Sequence, residues 1–398
     1  MSTEQNNKAL RIHAGWLIDG TGGPIQKNIC LWIHDGHILD ISTAEKRDPN
    51  PGLSLEYKHC TIIPPLVDSH VHLFMSETYD QKIRKNQLNS TYSTAKNLIR
   101  EHINNYLAFG VLSVRDGGDG KAHTLRYKRE VSHLKDNPFW LKVAGKALHR
   151  QGRYGRLIGR AVKEKESLAE MILFEDIDHV KIVNSGLNSL TQFGKETAPQ
   201  FSINELKQIV RKARSMGLRT MVHANGKIAV NNAVLAGCDS VEHGFFMGKE
   251  NLKLMADNNI IWVPTAYTMT AYAQYFKSTG MKTDVVRKNS DHQLEQLRYA
   301  AEIDLPIALG TDAGSIGVSH GEAVVEEMKI MKEAGHSISK LIKYATSTGT
   351  GLLGINEFGR VTKGMPASFL VIKGSPASLP GSIREIEVIY YKGKPMKL

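Results

Sequence analysis

Residues 202–244 read SINELKQIVRKARSMGLRTMVHANGKIAVNNAVLAGCDSVEHG, and this stretch carries the pattern that decides the fold. Ser202 followed by Glu205 has the spacing of a capping box, in which the hydroxyl and the carboxylate each satisfy a backbone N–H at the start of a helix. Ile203, Leu206, Ile209, Val210 and Ala213 then recur at helical spacing, and Gly217 supplies a stop. A strand, Leu218 to His223, follows; Ile228 to Ala236 reads as helix and Ser240 to Glu242 as strand. Farther along, Asn251 to Ala256 is helical, Ile260 to Pro264 a strand, Leu294 to Glu302 helical and Ile307 to Leu309 a strand. Strands alternating with helices predict βαβ units and a parallel sheet. A doubly wound sheet and an eight-stranded barrel both fit the span from Thr61 to Gly354, and periodicity alone does not choose between them.

Both chain ends differ from this middle. Ile29 to His34 and His37 to Ile41 are β-rich runs joined by Asp35-Gly36, a dipeptide suited to a two-residue hairpin turn because both positions need positive φ. Ala367 to Ile372 and Glu385 to Tyr391 are further short strands separated by Gly and Pro. The 398 residues are 41% hydrophobic and 23% charged, near the average for folded proteins, so a disordered or fibrous chain is excluded. No apolar run reaches the roughly 18 residues that span a bilayer, and Met1 to Lys8 lack a signal-peptide core, so the expectation is a cytoplasmic protein without a membrane partner. Three scattered cysteines, Cys30, Cys60 and Cys238, exclude a disulfide framework and a CxxC metal site. Sixteen histidines are the contrast, so nitrogen and oxygen would hold any metal.

The net charge of +11 is concentrated between residues 142 and 165, where Lys142, Lys146, Arg150, Arg153, Arg156, Arg160, Lys163 and Lys165 face the single acid Glu164. Such a run is ordinarily a solvated loop, and it also suits an anionic partner.

Five strand ends carry chemistry-bearing side chains. His70 and His72 are at i and i+2, on one face of a strand, so both imidazoles can converge on one ion. Chance supplies about 0.6 such pairs among sixteen histidines, so the pair alone proves little. Lys181, in His179-Val180-Lys181-Ile182-Val183, is costly on a buried strand unless paired, neutral or modified. His223 and His243 end the next two strands, each just before a glycine turn, and Asp312 in Leu309-Gly310-Thr311-Asp312-Ala313-Gly314 repeats the arrangement. A (β/α)₈ barrel brings such ends together on one rim, whereas a doubly wound sheet spreads them along an edge. The constellation therefore favours the barrel with a metal centre at its mouth.

At these residues the chain resembles the amidohydrolase superfamily of metal-dependent hydrolases, closest to its imidazolonepropionase and prolidase-like group. The resemblance runs through Pro64 to His72, Val114-Arg115-Asp116-Gly117-Gly118, Lys181, His223-Ala224-Asn225-Gly226, Glu242-His243-Gly244, Gly310 to Ala313, and Gly359 to Ala367. It implies a distorted (β/α)₈ barrel over residues 61–354, with a small discontinuous β-sandwich from residues 1–60 and 355–398. It also implies two divalent metal ions. His70, His72 and Asp312 would hold the buried one and His223 and His243 the exposed one, with a carbamate on Lys181 bridging both. Zinc is the expectation from the His-rich donor set. A hydroxide between the metals would attack a carbonyl carbon, and Asp312 would carry its proton to the leaving nitrogen. Asp116 and Glu242 are candidates for orienting imidazoles, with cap or surface roles equally open.

The chain departs from the group in three places. Gly152-Arg153-Tyr154-Gly155 stands where relatives carry Gly-Gly-His-Gly, Asn225 stands where a second histidine is frequent, and Ala367-Ser368-Phe369 replaces Ala-Asp-Leu. The ligands survive while specificity shifts. Loops after barrel strands line the pocket, so Arg150, Arg153, Tyr154 and Arg156 are expected to contact substrate, an arginine pairing with a carboxylate. The expected reaction is hydrolysis of a C–N amide bond in a small carboxylate-bearing molecule: an N-acyl amino acid, a dipeptide or a cyclic amide. Two alternatives remain at this point, a one-metal deaminase of a heterocyclic amine and a non-catalytic binding protein on the same fold. Nucleic acid is disfavoured because no basic motif is interleaved with aromatics, and a homo-oligomer is left open.

Overall fold

The computed structural model describes residues 9–43, 53–132, 137–163, 166, 170 and 176–396. Glu164 and Lys165 of the basic run lie outside them. The chain forms two compact units, one gathering the chain up to Val67, Tyr106–Leu112 and the chain from His336 onward, the other Asp68–Asn105 and Ser113–Gly335.

The first unit is built on a seven-stranded sheet to which both chain ends contribute, in the order Lys394–Pro395, Ile386–Tyr391, Phe369–Lys373, Leu53–Ile63, Leu10–Leu17, Gln26–His34, His37–Thr43. The strands form one continuous ladder. Leu53–Ile63 is the reason: its eleven residues are long enough to pair in parallel with Leu10–Leu17 and, through Cys60–Ile63, antiparallel with Phe369–Lys373. The Asp35-Gly36 hairpin forms as read, with φ of 47° and 74° at its two positions. Alternating residues bury Ile12, Ile29, Leu31, Ile62, Phe369 and Val371 in one core, where Phe369 stacks on Tyr390 at 4.8 Å.

The second unit is mixed α/β. Six strands lie in the order Ile261–Val263, Ser240–His243, Arg219–Ala224, His179–Val183, Ala147–Arg150, Gly159–Val162, every adjacent pair parallel. Three more, Leu66–Val71, Val111–Asp116 and Trp140–Val143, form a second sheet. The capping box at Ser202 and Glu205 is complete, and helix Ile203–Ser215 buries Leu206, Ile209, Val210 and Ala213 before Gly217 ends it at φ +70°. Ile307 to Leu309 makes a single parallel bridge, Trp262 to Ile307, in place of the expected strand. Backbone bonds nevertheless tie that segment on both sides, from Trp262 N to Pro306 O (2.9 Å) and from Ser69 N to Leu309 O (2.8 Å).

Two helices show how the sequence reading came to misplace or miss an element. Asp284–Glu302 begins ten residues before the expected Leu294, because its buried face is polar: Asn289, Gln293 and Gln296 sit beside Val286, Leu297 and Ala300. Tyr267–Ser278 has no cap of its own; Glu327 supplies one from another helix, accepting from Ala266 N at 2.8 Å and Tyr267 N at 2.7 Å. Glu327 is fully buried, and burial pushes its carboxyl up to about 8. Glu327→Ala should therefore cost about 2–4 kcal/mol, since two amide donors lose their acceptor inside the protein. Urea unfolding checks this, and a midpoint shift equivalent to less than about 0.5 kcal/mol would contradict it. No helix among the described residues is long and apolar enough to cross a membrane.

Candidate active site

Parallel strands all present the same end to one side; the ends of four segments and the centre of a fifth, His179–Val183, bring His70, His72, His223, His243, Asp312 and Lys181 to the lining of one cavity of about 190 Å³. The imidazole centroids of His70 and His72 are 5.6 Å apart, those of His70 and His243 4.8 Å, and those of His223 and His243 4.5 Å. Asp312 Oδ1 lies 3.5 Å from the Nε2 atoms of both His70 and His72. Lys181 Nζ lies 3.3 Å from His70 Nε2.

Outer contacts fix which nitrogen of three of the rings faces inward. A carboxylate can only accept, so His70 Nδ1–H donates to Glu242 Oε2 (2.8 Å) and leaves the Nε2 lone pair inside. His72 Nδ1–H donates to Gly118 O at 3.0 Å with the same result, and His223 Nε2–H donates to Gly186 O at 3.2 Å, leaving Nδ1 inward. His243 Nδ1 meets Thr265 Oγ1 at 2.7 Å. Burial, reinforced by the neighbouring Lys181, lowers His72 and His223 to about 3, and His70 and His243 lie well below the usual histidine value mainly through burial. All four rings are therefore neutral at physiological pH, the form that donates a lone pair to a metal.

Lys181 is 1% exposed and forms no ion pair with a described carboxylate. Burial lowers its ammonium to about 8, while Glu242 and Asp312 pull the other way. Burial raises Asp312 to about 6 against the hydroxyl of Ser315, which donates to Oδ2 at 2.9 Å. Positive φ at His243 (67°), Thr265 (46°) and Asp312 (60°) shows backbone held in a costly conformation at three site residues. Space is equally tight: a Cβ on Gly117 would sit 2.7 Å from His72 Cε1, and one on Gly314 would sit 2.5 Å from His72 O.

Beneath the rings lies a buried charge network that the sequence did not announce. Arg115 donates to Ser69 O (2.7 Å), Ser240 Oγ (3.0 Å) and Glu242 Oε1 (2.8 Å), so Glu242 joins a guanidinium to His70. Asp68, also buried, accepts from His70 N (3.2 Å) and Thr311 N (3.0 Å) and ties the first strand to the Asp312 turn. Of the two candidate orienting acids, Glu242 contacts an imidazole; Asp116 instead accepts from Leu73 N and Gly118 N, each at 2.9 Å, and shapes the backbone around His72. Gln293 and Gln296 donate to His243 O (2.7 Å) and Gly244 O (3.0 Å), holding the strained turn from behind.

The basic segment behaves differently from the expectation. Tyr154 lines the cavity, its ring 5.5 Å from that of His223, but Arg150, Arg153 and Arg156 do not. Arg150 pairs with Glu205 and lies 4.7 Å over the Phe201 ring, and Arg153 donates to Ala198 O at 2.6 Å. Arg150 spends its side-chain donors on neighbouring chain. The arginine that does line the cavity is Arg84, from helix Gln81–Asn89.

A second group with metal-binding side chains, Glu77, His102 and His320, lies close by. Its two imidazoles stack at 3.7 Å with 13° between planes. Parallel rings aim their nitrogens alongside each other, not at a shared point, so we read this pair as packing. The donor set around Asp312 fits a metal: neutral imidazoles with inward lone pairs, a carboxylate, and ligand atoms of His70, His72 and Asp312 within 4.8 Å of one another.

Comparison with known proteins places this geometry. The family model described as "Amidohydrolase family" matches residues 61–396. An uncharacterized protein of Mycobacterium tuberculosis is 24% identical over 396 residues, covering 98% of this chain and 96% of its own. Ochratoxinase of Aspergillus niger is 23% identical over 407 residues, covering 93% and 82%. Among solved structures, a Xaa-Pro dipeptidase with methionine bound in its active site superposes with a TM-score of 0.81 at 25% identity, over 98% of this chain and 100% of that one. With the family model covering most of its length, the chain belongs to the amidohydrolase family.

Proposed function

We propose that this chain hydrolyses the C–N amide bond of a small substrate at a centre of two divalent metal ions, zinc by donor preference. The convergence of four neutral imidazoles, Asp312 and the buried Lys181 on one cavity carries this reading. His70, His72 and Asp312 would hold one ion, His223 and His243 the other, and a carbamate on Lys181 would serve both. A buried lysine without a carboxylate partner is a liability beside divalent cations. Addition of carbon dioxide to its neutral amine, with loss of one proton, turns it into an anion with two oxygen donors. The bound metals supply Lewis-acid polarisation and an activated water.

The remaining roles fall to the chain. Asp312 faces the cavity and accepts a hydrogen bond from Ser315, which suits it to take a proton from water and deliver it to the departing nitrogen. Glu242 fixes the His70 ring, Thr265 meets the His243 ring, and Phe245, Met269 and Tyr272 exclude water from the cavity wall. The hydrogen bonds on both sides of Pro306–Leu309 support a closed (β/α)₈ barrel over residues 61–354, and the seven-stranded sheet of the two ends supports a separate domain built from 1–60 and 355–398. The named activity of one similar structure, a Xaa-Pro dipeptidase, favours dipeptides as first substrates, and N-acyl amino acids offer the same kind of amide bond.

The test is incubation of zinc-loaded protein with a panel of N-acyl amino acids and dipeptides in ¹⁸O-water, followed by mass spectrometry. Hydrolysis puts one ¹⁸O into the new acyl carboxylate and releases the amine. Release of ammonia from aminated heterocycles with every amide intact would overturn the reading in favour of a deaminase. Incubation with a chelator such as 1,10-phenanthroline should remove more than about 95% of turnover, because every inward lone pair loses its partner; undiminished activity in metal-free protein would contradict the assignment.

A further inference from the structure

Arg84 is anchored from both sides without being neutralised. Its Nη1 donates to Ser76 O at 2.8 Å and its Nη2 to Gly314 O at 3.1 Å. A guanidinium has five N–H donors, so two carbonyls leave more than half of them for a ligand. No described carboxylate forms an ion pair with it, and it lines the same cavity as Asp312. Gly314 is two residues beyond Asp312, so the backbone that holds the guanidinium lies within about 7 Å of chain from that of Asp312. Apolar and aromatic side chains share the lining of that cavity, among them Phe74, Leu88, Leu157, Leu187 and Tyr272. Leu157 and Leu187 are 48% and 57% exposed, an expense that a bound apolar group would remove.

We propose that Arg84 binds the carboxylate of the substrate, and that the wall beside it takes a large apolar side chain on the same molecule. The class is then the N-acylated aromatic or branched amino acid with a free carboxylate. The inference rests on the amide-hydrolase reading only for the identity of the bond cleaved; the anion site stands on Arg84 itself.

The experiment is isothermal titration of the zinc-loaded protein with 3-phenylpropanoate and with 3-phenylpropanamide, in the unmodified chain, Arg84→Met and Arg84→Lys. The unmodified protein should bind the acid about 10- to 100-fold more tightly than the amide, the range of a charge-assisted bidentate contact. R84M should bring that ratio near one, and R84K should keep part of it. Equal affinity of the unmodified protein for acid and amide overturns the proposal without reference to any variant. A preference retained in R84M also overturns it, since the carboxylate would then be held elsewhere. Arg84-dependent binding with no N-acyl amino acid cleaved leaves the anion site standing and removes the amide-hydrolase reading; cleavage without Arg84-dependent discrimination does the reverse.

Discussion

Lys181→Ala should lower kcat/KM by about 10³-fold or more, with much of the loss recovered by millimolar formate, acetate or propionate. The expectation follows from position. Lys181 is the centre residue of a five-residue buried strand, its Nζ 3.3 Å from His70 Nε2, with no described carboxylate paired to it. Truncation empties a space next to the imidazoles that a short carboxylate fills, returning the two oxygens that the carbamate would provide. The companion observation is a carbamate carbon signal in ¹³C spectra of protein prepared in labelled bicarbonate, absent from K181A. Full activity in K181A would sink the bridged two-metal account.

Glu242→Ala is the second large effect, and it is on stability. Glu242 is fully buried and Arg115 is 1% exposed, and the carboxylate accepts from Arg115, Ser240 and His70. Its removal leaves a guanidinium buried without its counter-charge, which costs about 3–5 kcal/mol. Replacing both partners, Glu242→Leu with Arg115→Met, should recover most of that loss, because the expensive state is one unpaired charge and not the lack of the pair. Urea unfolding of the two proteins checks this; a single variant as stable as the parent would show that the network is solvated and that its role in orienting His70 is smaller than drawn here.

The site was legible in the sequence where backbone periodicity and residue type reinforced each other. His70 and His72 at i and i+2, and His223 and His243 at strand ends before glycine turns, could be placed without coordinates because the period of a strand fixes the face. The capping box at Ser202 gave the start of one helix to the residue for the same reason: the signal is local. What escaped was held by non-local contacts. Helix Tyr267–Ser278 is capped by Glu327 from a distant helix, and helix Asp284–Glu302 buries glutamines and an asparagine where an apolar stripe would mark a buried face. Asp68 and Arg115 sat in plain view inside the quoted motifs; a charge in an otherwise apolar strand was the available signal.

Substrate contacts were the least legible part. A concentration of arginines suggested an anion site between residues 142 and 165, yet charge density says nothing about where a side chain points. Glu205, Phe201 and a carbonyl engage Arg150 and Arg153, while Arg84, on a polar helix with no buried residues, reaches the cavity. Long side chains on short helices are set by the loop they pack against, here Ser76 and Gly314, which sequence spacing does not encode.

The most direct measurement of the central claim is metal content per chain by plasma mass spectrometry, on protein purified without chelator from cells supplied with zinc and bicarbonate. The account predicts about two divalent ions per chain in the unmodified protein and fewer in Asp312→Ala. One ion per chain would contradict the bridged centre and point to the deaminase chemistry of one-metal relatives, and none after reconstitution with zinc and bicarbonate would contradict a metal-dependent hydrolase altogether.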